Sequence, residues 1–229
     1  MSDKLNYVND NIVTPVYNIN DKYALISEHN LTMKDLINLC GGIPSREVTE
    51  CRLEIISGSK NVIHIKVFTN LYEVVRTINF ESKTIDNHFM LVYKKGENIG
   101  TCLFLNQVKA AIKRRFVKLK TTALAPNHGE DTAWLGYYFW GKVGYKMAAD
   151  DQIEFVKWSK EFGRNESSLR ELLLTREGTE LWKKYGYTWM GEFYLNGKGK
   201  CLHYLTLYLQ GKNMPFDIEF PALNVWQMQ

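Results

Sequence analysis

Apolar and polar residues alternate with period two over three successive stretches, and each predicts a strand. In residues 49–57, Cys51, Leu53 and Ile55 alternate with Arg52 and Glu54. Residues 58–61, Gly-Ser-Lys-Asn, read as a hairpin turn into 62–69, where Ile63, Ile65 and Val67 share one side. A third run covers 72–80 and closes at Asn79 and Ser82-Lys83. Short turns between period-two runs predict an antiparallel meander.

The pattern changes over residues 88–123. The apolar run Phe89-Met90-Leu91-Val92-Tyr93 reads as a short buried strand. The turn Lys94-Lys95-Gly96-Glu97-Asn98-Ile99-Gly100 follows, and a helix is predicted to open at Thr101. That helix carries Leu105, Val108, Ile112 and Phe116 on one face and Lys109 and Lys113 away from it. Residues 117–123 form the next strand, placed by the crossover helix as a parallel neighbour or near-neighbour of 89–93, which predicts a mixed sheet. A turn ending at a helix start presents free backbone N–H groups and the positive end of a helix dipole, a natural anion site.

On either side the signals are mostly helical. Residues 1–30 read as an irregular arm or one short strand. Thr32 caps a helix with Asp35 at its third position and Leu36, Ile37 and Leu39 inside, stopped by Gly41-Gly42 and Pro44. Residues 126–148 read as a loop and a strongly aromatic helix, capped by Asp131 or Thr132 and ended by Gly144. Ile153, Val156 and Phe162 share a face of the next helix, which Gly163 ends. Ser168 to Glu171 has capping-box spacing, 175–186 is a short helix with Trp182 inside, 188–195 alternates like a late strand, and Leu202, Leu205 and Leu209 sit at helical spacing.

Composition narrows the class. Hydrophobic residues are 45% and charged residues 24% of 229, so a packed core is expected. The net charge of +4 is compatible with an anionic ligand without arguing for nucleic acid. Lys109, Lys113, Arg114, Arg115, Lys118 and Lys120 are spread around a helix and onto a strand, the pattern of a solvated face rather than a nucleic-acid stripe. Cys40, Cys51, Cys102 and Cys201 are scattered without a C-x-x-C pair, which predicts free thiols. MSDKLNYVND has no apolar segment of signal type and no run approaches membrane-helix length, so a cytoplasmic protein away from the membrane is expected. His29, His64, His88, His128 and His203 form no H-x-x-x-H pair, and no zinc pattern, G-x-S-x-G or P-loop lysine motif appears, so no metal is expected.

The turn and the aromatic helix together resemble the GNAT superfamily of acyl-CoA N-acetyltransferases. Its pyrophosphate turn, R/Q-x-x-G-x-G/A, is matched by Lys95-Gly96-Glu97-Asn98-Ile99-Gly100-Thr101, followed by Cys102-Leu103-Phe104. Lys95 stands where Arg or Gln is usual, keeping the charge without the planar fork. Asn98 replaces a glycine and is the next best residue for a left-handed backbone. The family's later A-x-x-F-Y-x-x-x-G-F helix overlies 136–145, with Trp140 at the position of the tyrosine that protonates the departing thiolate; an indole N–H is not acidic enough for that.

The resemblance covers residues 50–148 of a single domain, with an N-terminal arm and helix (1–45) and a C-terminal helical elaboration (150–229). It implies an α+β, mixed-sheet, GNAT-like fold, with acetyl-CoA as co-substrate and a small-molecule or protein amine as acceptor. It places the pantetheine arm along the backbone of Met90, Leu91, Val92 and Tyr93, and the pyrophosphate on Lys95, Gly96, Glu97, Asn98, Ile99, Gly100 and Thr101. The base is sought among His128, Glu130 and Asp131, the acid between Tyr138 and Tyr137. Plainer roles stand beside these: Asp131 as a helix cap, His128 as a solvated side chain, Tyr137 and Tyr138 as part of an aromatic core face with Trp134, Phe139 and Trp140. The alternative function is a GNAT-like binding or scaffold protein without chemistry, and a weaker one is RNA-linked acylation through the basic residues.

Overall fold

The computed structural model describes residues 13–17, 27–44, 47–94, 97–125, 136–197 and 200–214, the first of these as backbone only. The chain forms two compact units divided after Val117. Each has strands and helices of its own, and the class is α+β.

The first unit holds β1 (Val13–Tyr17), α1 (Met33–Leu39), β2 (Cys51–Ser59), β3 (Val62–Thr69), β4 (Tyr72–Asn79), β5 (Thr84–Val92) and α2 (Ile99–Lys113). Its strands lie in chain order, β1 to β5. The predicted meander is present: β2–β3, β3–β4 and β4–β5 are antiparallel. β1 pairs parallel to β2, so this sheet is mixed through the N-terminal arm, where the sequence indicated at most one short strand.

α1 begins as its sequence says. Thr32 Oγ1 accepts from the Asp35 N–H at 3.1 Å and Asp35 Oδ2 accepts from the Thr32 N–H at 2.8 Å, a closed capping box. The same carboxylate pairs with Arg114 at 2.5 Å, tying α1 to the end of α2. Burial would raise the Asp35 carboxyl, but the hydrogen bonds of Arg114 and Thr32 outweigh it and hold it at about 2. Gln107 of α2 completes the tie: its Nε2 donates to Leu39 O at 3.0 Å and to Asn87 Oδ1 at 2.8 Å, while its Oε1 accepts from Asn87 Nδ2. Leu53, Ile65, Val74, Leu103, Leu105 and Val108 fill the space between sheet and helices.

Two details of the predicted strand–helix element are corrected. Phe89–Tyr93 is not a short buried strand: Phe89–Val92 is the outer end of the nine-residue β5 and Tyr93 follows it, and Thr84, Ile85 and Asn87 are buried, whereas Leu91 is 37% and Tyr93 51% exposed. The change follows a break in register opposite Val75 and Arg76, which leaves His88 as the extra residue of a bulge. Buried Arg76 braces it, donating from Nη1 to Phe89 O at 2.5 Å and Val75 O at 3.0 Å. Secondly, α2 opens at Ile99 rather than Thr101, and it is buried on more than the predicted face, with Asn106 and Gln107 inside.

The second unit holds β6 (Lys118–Ala123), α3 (Gly136–Lys142), β7 (Lys146–Met147), α4 (Ala149–Glu161), α5 (Leu169–Leu172), α6 (Arg176–Tyr185), β8 (Trp189–Tyr194) and α7 (Cys201–Gly211). β8 lies between β6 and β7, antiparallel to both. The late strand is where the alternation placed it and the last helix where the helical spacing of Leu202, Leu205 and Leu209 placed it; two-residue β7 had no signal. The core is aromatic. Trp182 is fully buried and meets the rings of Phe155, Trp158 and Tyr187 at centroid distances of 5.9, 4.9 and 5.2 Å.

The face predicted for α4 is its outer one. Ile153 is 57% and Phe162 37% exposed, while Phe155 and Ser159 are fully buried. The cause is Trp182, whose indole takes Phe155 and Trp158 as neighbours and so sets the rotation of the helix. Ser168 Oγ accepts from the Glu171 N–H at 3.3 Å, but the Glu171 carboxylate returns to Ser167, not Ser168. The four cysteines are free thiols, as predicted. Among the described residues no helix is long and apolar enough to cross a membrane.

Candidate functional site

The turn after β5 ends at Asn98, whose φ of 58° and ψ of 14° put it in the left-handed region. A tetrahedral Cβ costs about 1–2 kcal/mol there for most residues, and Asn is the non-glycine residue best suited to it. This is the conformation expected of an asparagine replacing a glycine. Asn98 is the N-cap of α2, makes no side-chain capping hydrogen bond, and is followed by a first turn without an acidic residue. The first amides of the 15-residue helix, at Ile99, Gly100 and Thr101, therefore close no bond to a capping side chain.

Gly100 seats that helix start on β5. A Cβ there would lie 3.6 Å from Met90 Cε and 3.7 Å from Val92 Cγ2, so these two side chains face α2. Leu91 and Tyr93, next along an alternating strand, point to the other face, where the Tyr93 hydroxyl approaches Glu73 at 3.4 Å. Beyond the bulge, Phe89 to Val92 stay paired with β4, and the Tyr93 N–H donates to Leu71 O at 2.9 Å. Glu97 is exposed and its carboxylate meets Lys94 Nζ at 2.6 Å; Lys94 also pairs with Glu47 at 3.0 Å. Lys95 and Gly96 lie outside the described residues, as do His128, Glu130 and Asp131.

The tyrosines of α3 are in the second unit. Tyr137 is 4% exposed; its hydroxyl donates to Lys183 O at 2.7 Å, and its carbonyl accepts both Trp182 Nε1 at 3.2 Å and Trp189 Nε1 at 2.9 Å. Tyr138 is half-buried, with Lys183 Nζ 5.2 Å and Lys142 Nζ 6.0 Å from its ring centroid. Burial pushes both phenols above the usual tyrosine value, against the pull of Lys183. Trp140 is 5% exposed with its ring edge-on to Tyr145 at 5.1 Å. Gly141 lets α3 approach α5: a Cβ there would lie 2.7 Å from Leu173 Cδ1 and 2.9 Å from Leu169 Cδ2.

Sequence reasoning missed the lysines beside Tyr138. Lys142 stands four residues on, the spacing that stacks side chains on one helix face, so it was open to detection; Lys183 comes from another helix and left no local trace. Among the described residues no group of three His, Cys, Asp or Glu side chains is placed to hold a metal ion.

No family model and no curated protein matches this chain. Among solved structures it is similar to a tandem GNAT protein from the clavulanic acid biosynthesis pathway (without AcCoA), at 15% identity and a TM-score of 0.31. The match covers 38% of this chain and 29% of that one, and the likeness is slight.

Proposed function

We propose that the chain is a GNAT-type N-acetyltransferase that transfers an acetyl group from acetyl-CoA to an amine by direct attack. The observation that carries this reading is the opening of α2: a left-handed asparagine, then a helix start with no side-chain cap and no acid in its first turn. Such an end suits a pyrophosphate, whose negative charge meets the positive end of the helix dipole. The carboxylate of Glu97 does not argue against this, because Lys94 neutralises it. In this reading Lys95, Gly96, Glu97, Asn98, Ile99, Gly100 and Thr101 hold the pyrophosphate, and the backbone of Met90, Leu91, Val92 and Tyr93 guides the pantetheine arm.

The chemistry asks for two proton transfers. The amine nitrogen bonds to the thioester carbonyl carbon and gives up a proton to Glu130, the C–S bond breaks, and the leaving thiolate takes a proton from a phenol. Tyr138 suits the second role better than Tyr137, whose proton is already given to Lys183 O. The test is thiol release from acetyl-CoA with a panel of small amines and lysine peptides. Tyr138→Phe is expected to lower kcat by about 10²-fold or more while leaving acetyl-CoA binding intact. An unchanged kcat removes Tyr138 from the mechanism.

A second reading has an observation of its own. Trp140 is buried in the aromatic core where the family has its acid, and Tyr137 is committed to the fold. These favour a GNAT-like binding or scaffold protein that acts through protein partners. Thiol release by the parent protein with any amine of the panel excludes it; a panel without turnover supports it.

A further inference from the structure

The two adjacent tyrosines of α3 meet the same residue of α6 in opposite ways. The Tyr137 hydroxyl donates to the Lys183 carbonyl at 2.7 Å, so its proton is held by backbone. The Lys183 ammonium instead stands against the Tyr138 ring, 5.2 Å from its centroid. Successive helix positions diverge by about 100°, and Lys183 reaches both rings because its carbonyl and its ammonium lie at opposite ends of the residue.

The other charges around Tyr138 come from three helices. On α3, Lys142 brings a second ammonium 6.0 Å from the ring, held by the Leu173 carbonyl. On α6, the Glu180 carboxylate opposes them, but Lys183 Nζ pairs with it at 2.9 Å. The phenols of Tyr208 on α7 and of Tyr137 are the other titratable groups that act on Tyr138. Burial raises the Tyr138 phenol, and the Lys183 charge pulls against it. The Glu180 hydrogen bond, and with it the charge of Tyr138, raises the Lys183 ammonium, so Lys183 is charged at neutral pH. A charge acts through space, so the pairing with Glu180 weakens its influence on Tyr138 without removing it.

We infer that Lys183 is a positioning residue for the Tyr138 acid: its carbonyl withdraws Tyr137 from proton transfer, and its ammonium stabilises the phenolate that Tyr138 becomes. This rests on the acetyltransferase reading. When the C–S bond breaks, its electron pair stays on sulfur, and the Tyr138 proton moves to that thiolate. The negative charge left on the phenolate faces Lys183 until a proton from water restores the phenol.

The test is an NMR pH titration of the whole chain with isotope-labelled tyrosine Cζ, the Tyr138 signal being the one lost in Tyr138→Phe. Lys183→Met keeps the carbonyl and the helix propensity and removes the charge, whereas Lys183→Arg keeps the charge. The Tyr138 midpoint is expected to move upward in Lys183→Met, to stay at the parent position in Lys183→Arg and to move downward in Glu180→Gln. In thiol release, Lys183→Met is expected to lower kcat by about threefold to tenfold and to carry the alkaline limb of the pH profile upward with the midpoint. An unmoved or lowered midpoint in Lys183→Met, or a lower kcat without a displaced alkaline limb, overturns the proposal. The NMR titration needs no acetyl-CoA, so its failure strikes Lys183 and leaves the acetyltransferase reading standing. The predicted midpoints in a chain without turnover on any amine of the panel remove that reading, and the catalytic part of the Lys183 proposal with it.

Discussion

The start of α2 and helix α3 both carry the functional reading, and they are made of opposite materials. The first is almost wholly backbone: a left-handed residue, a run of amides and a glycine resting on Met90 and Val92. The second is almost wholly side chain, and most of its polar capacity is already committed. The Tyr137 hydroxyl and carbonyl hold α6 and β8, and Trp140 packs in the core. A backbone site can be recognised without knowing its neighbours. A side-chain site depends on which groups the fold has left over, and in α3 that is Tyr138.

The contrast breaks most visibly at Trp182, the centre of the aromatic core. Trp182→Ala is expected to cost about 3–5 kcal/mol in urea unfolding, because it opens a cavity and leaves the Tyr137 carbonyl with one donor fewer. A cost below about 1 kcal/mol would show that α3 is not held as described.

At the other region, Asn98→Val forces a β-branched residue into the left-handed well, for about 1–2 kcal/mol, whereas Asn98→Gly stays within about 0.5 kcal/mol of the parent. Equal costs for the two would mean that backbone conformation is not what Asn98 supplies.

The tyrosines separate next. Tyr137→Phe loses the bond to Lys183 O and is expected to cost about 1–1.5 kcal/mol; Tyr138→Phe, which breaks no hydrogen bond to a described residue, should cost less than about 0.5 kcal/mol. The reverse order would exchange their roles.

Smallest is the capping box that fixes the far end of α2. The Asp35 carboxyl is lowered from 3.8 to about 2 on folding, so its stabilisation is present above pH 4 and is lost as pH falls toward 2. Asp35→Asn should therefore cost about 1 kcal/mol at neutral pH and progressively less between pH 4 and pH 2. A difference that does not shrink over that range would contradict the Arg114 pairing.

What could be read from the residues alone follows the same division. The Thr32–Asp35 box, the meander of β2 to β4 and the left-handed turn at Asn98 are local, each decided by residues within a few positions of one another. The parallel pairing of β1 with β2 joins residues nearly forty apart, such as Val13 and Cys51, and left no local signal. The outer part of β5 was misjudged because Phe89 to Tyr93 is apolar on both faces, so the sequence alone does not say which face the fold will cover. α4 failed for a related reason: its apolar residues allow more than one inward face, and the choice lies with Trp182 on another helix. Tyr138 was named as a candidate, but its two lysine neighbours, which set it apart from Tyr137, came partly from distant sequence.

The central claim is that the start of α2 binds an acyl-CoA. Titration calorimetry of the whole chain with acetyl-CoA tests it most directly, with Asn98→Val measured beside the parent. Saturable binding below millimolar, weakened about tenfold or more in the variant, is the predicted result. No heat at millimolar acetyl-CoA, or equal affinity in the two proteins, would contradict it.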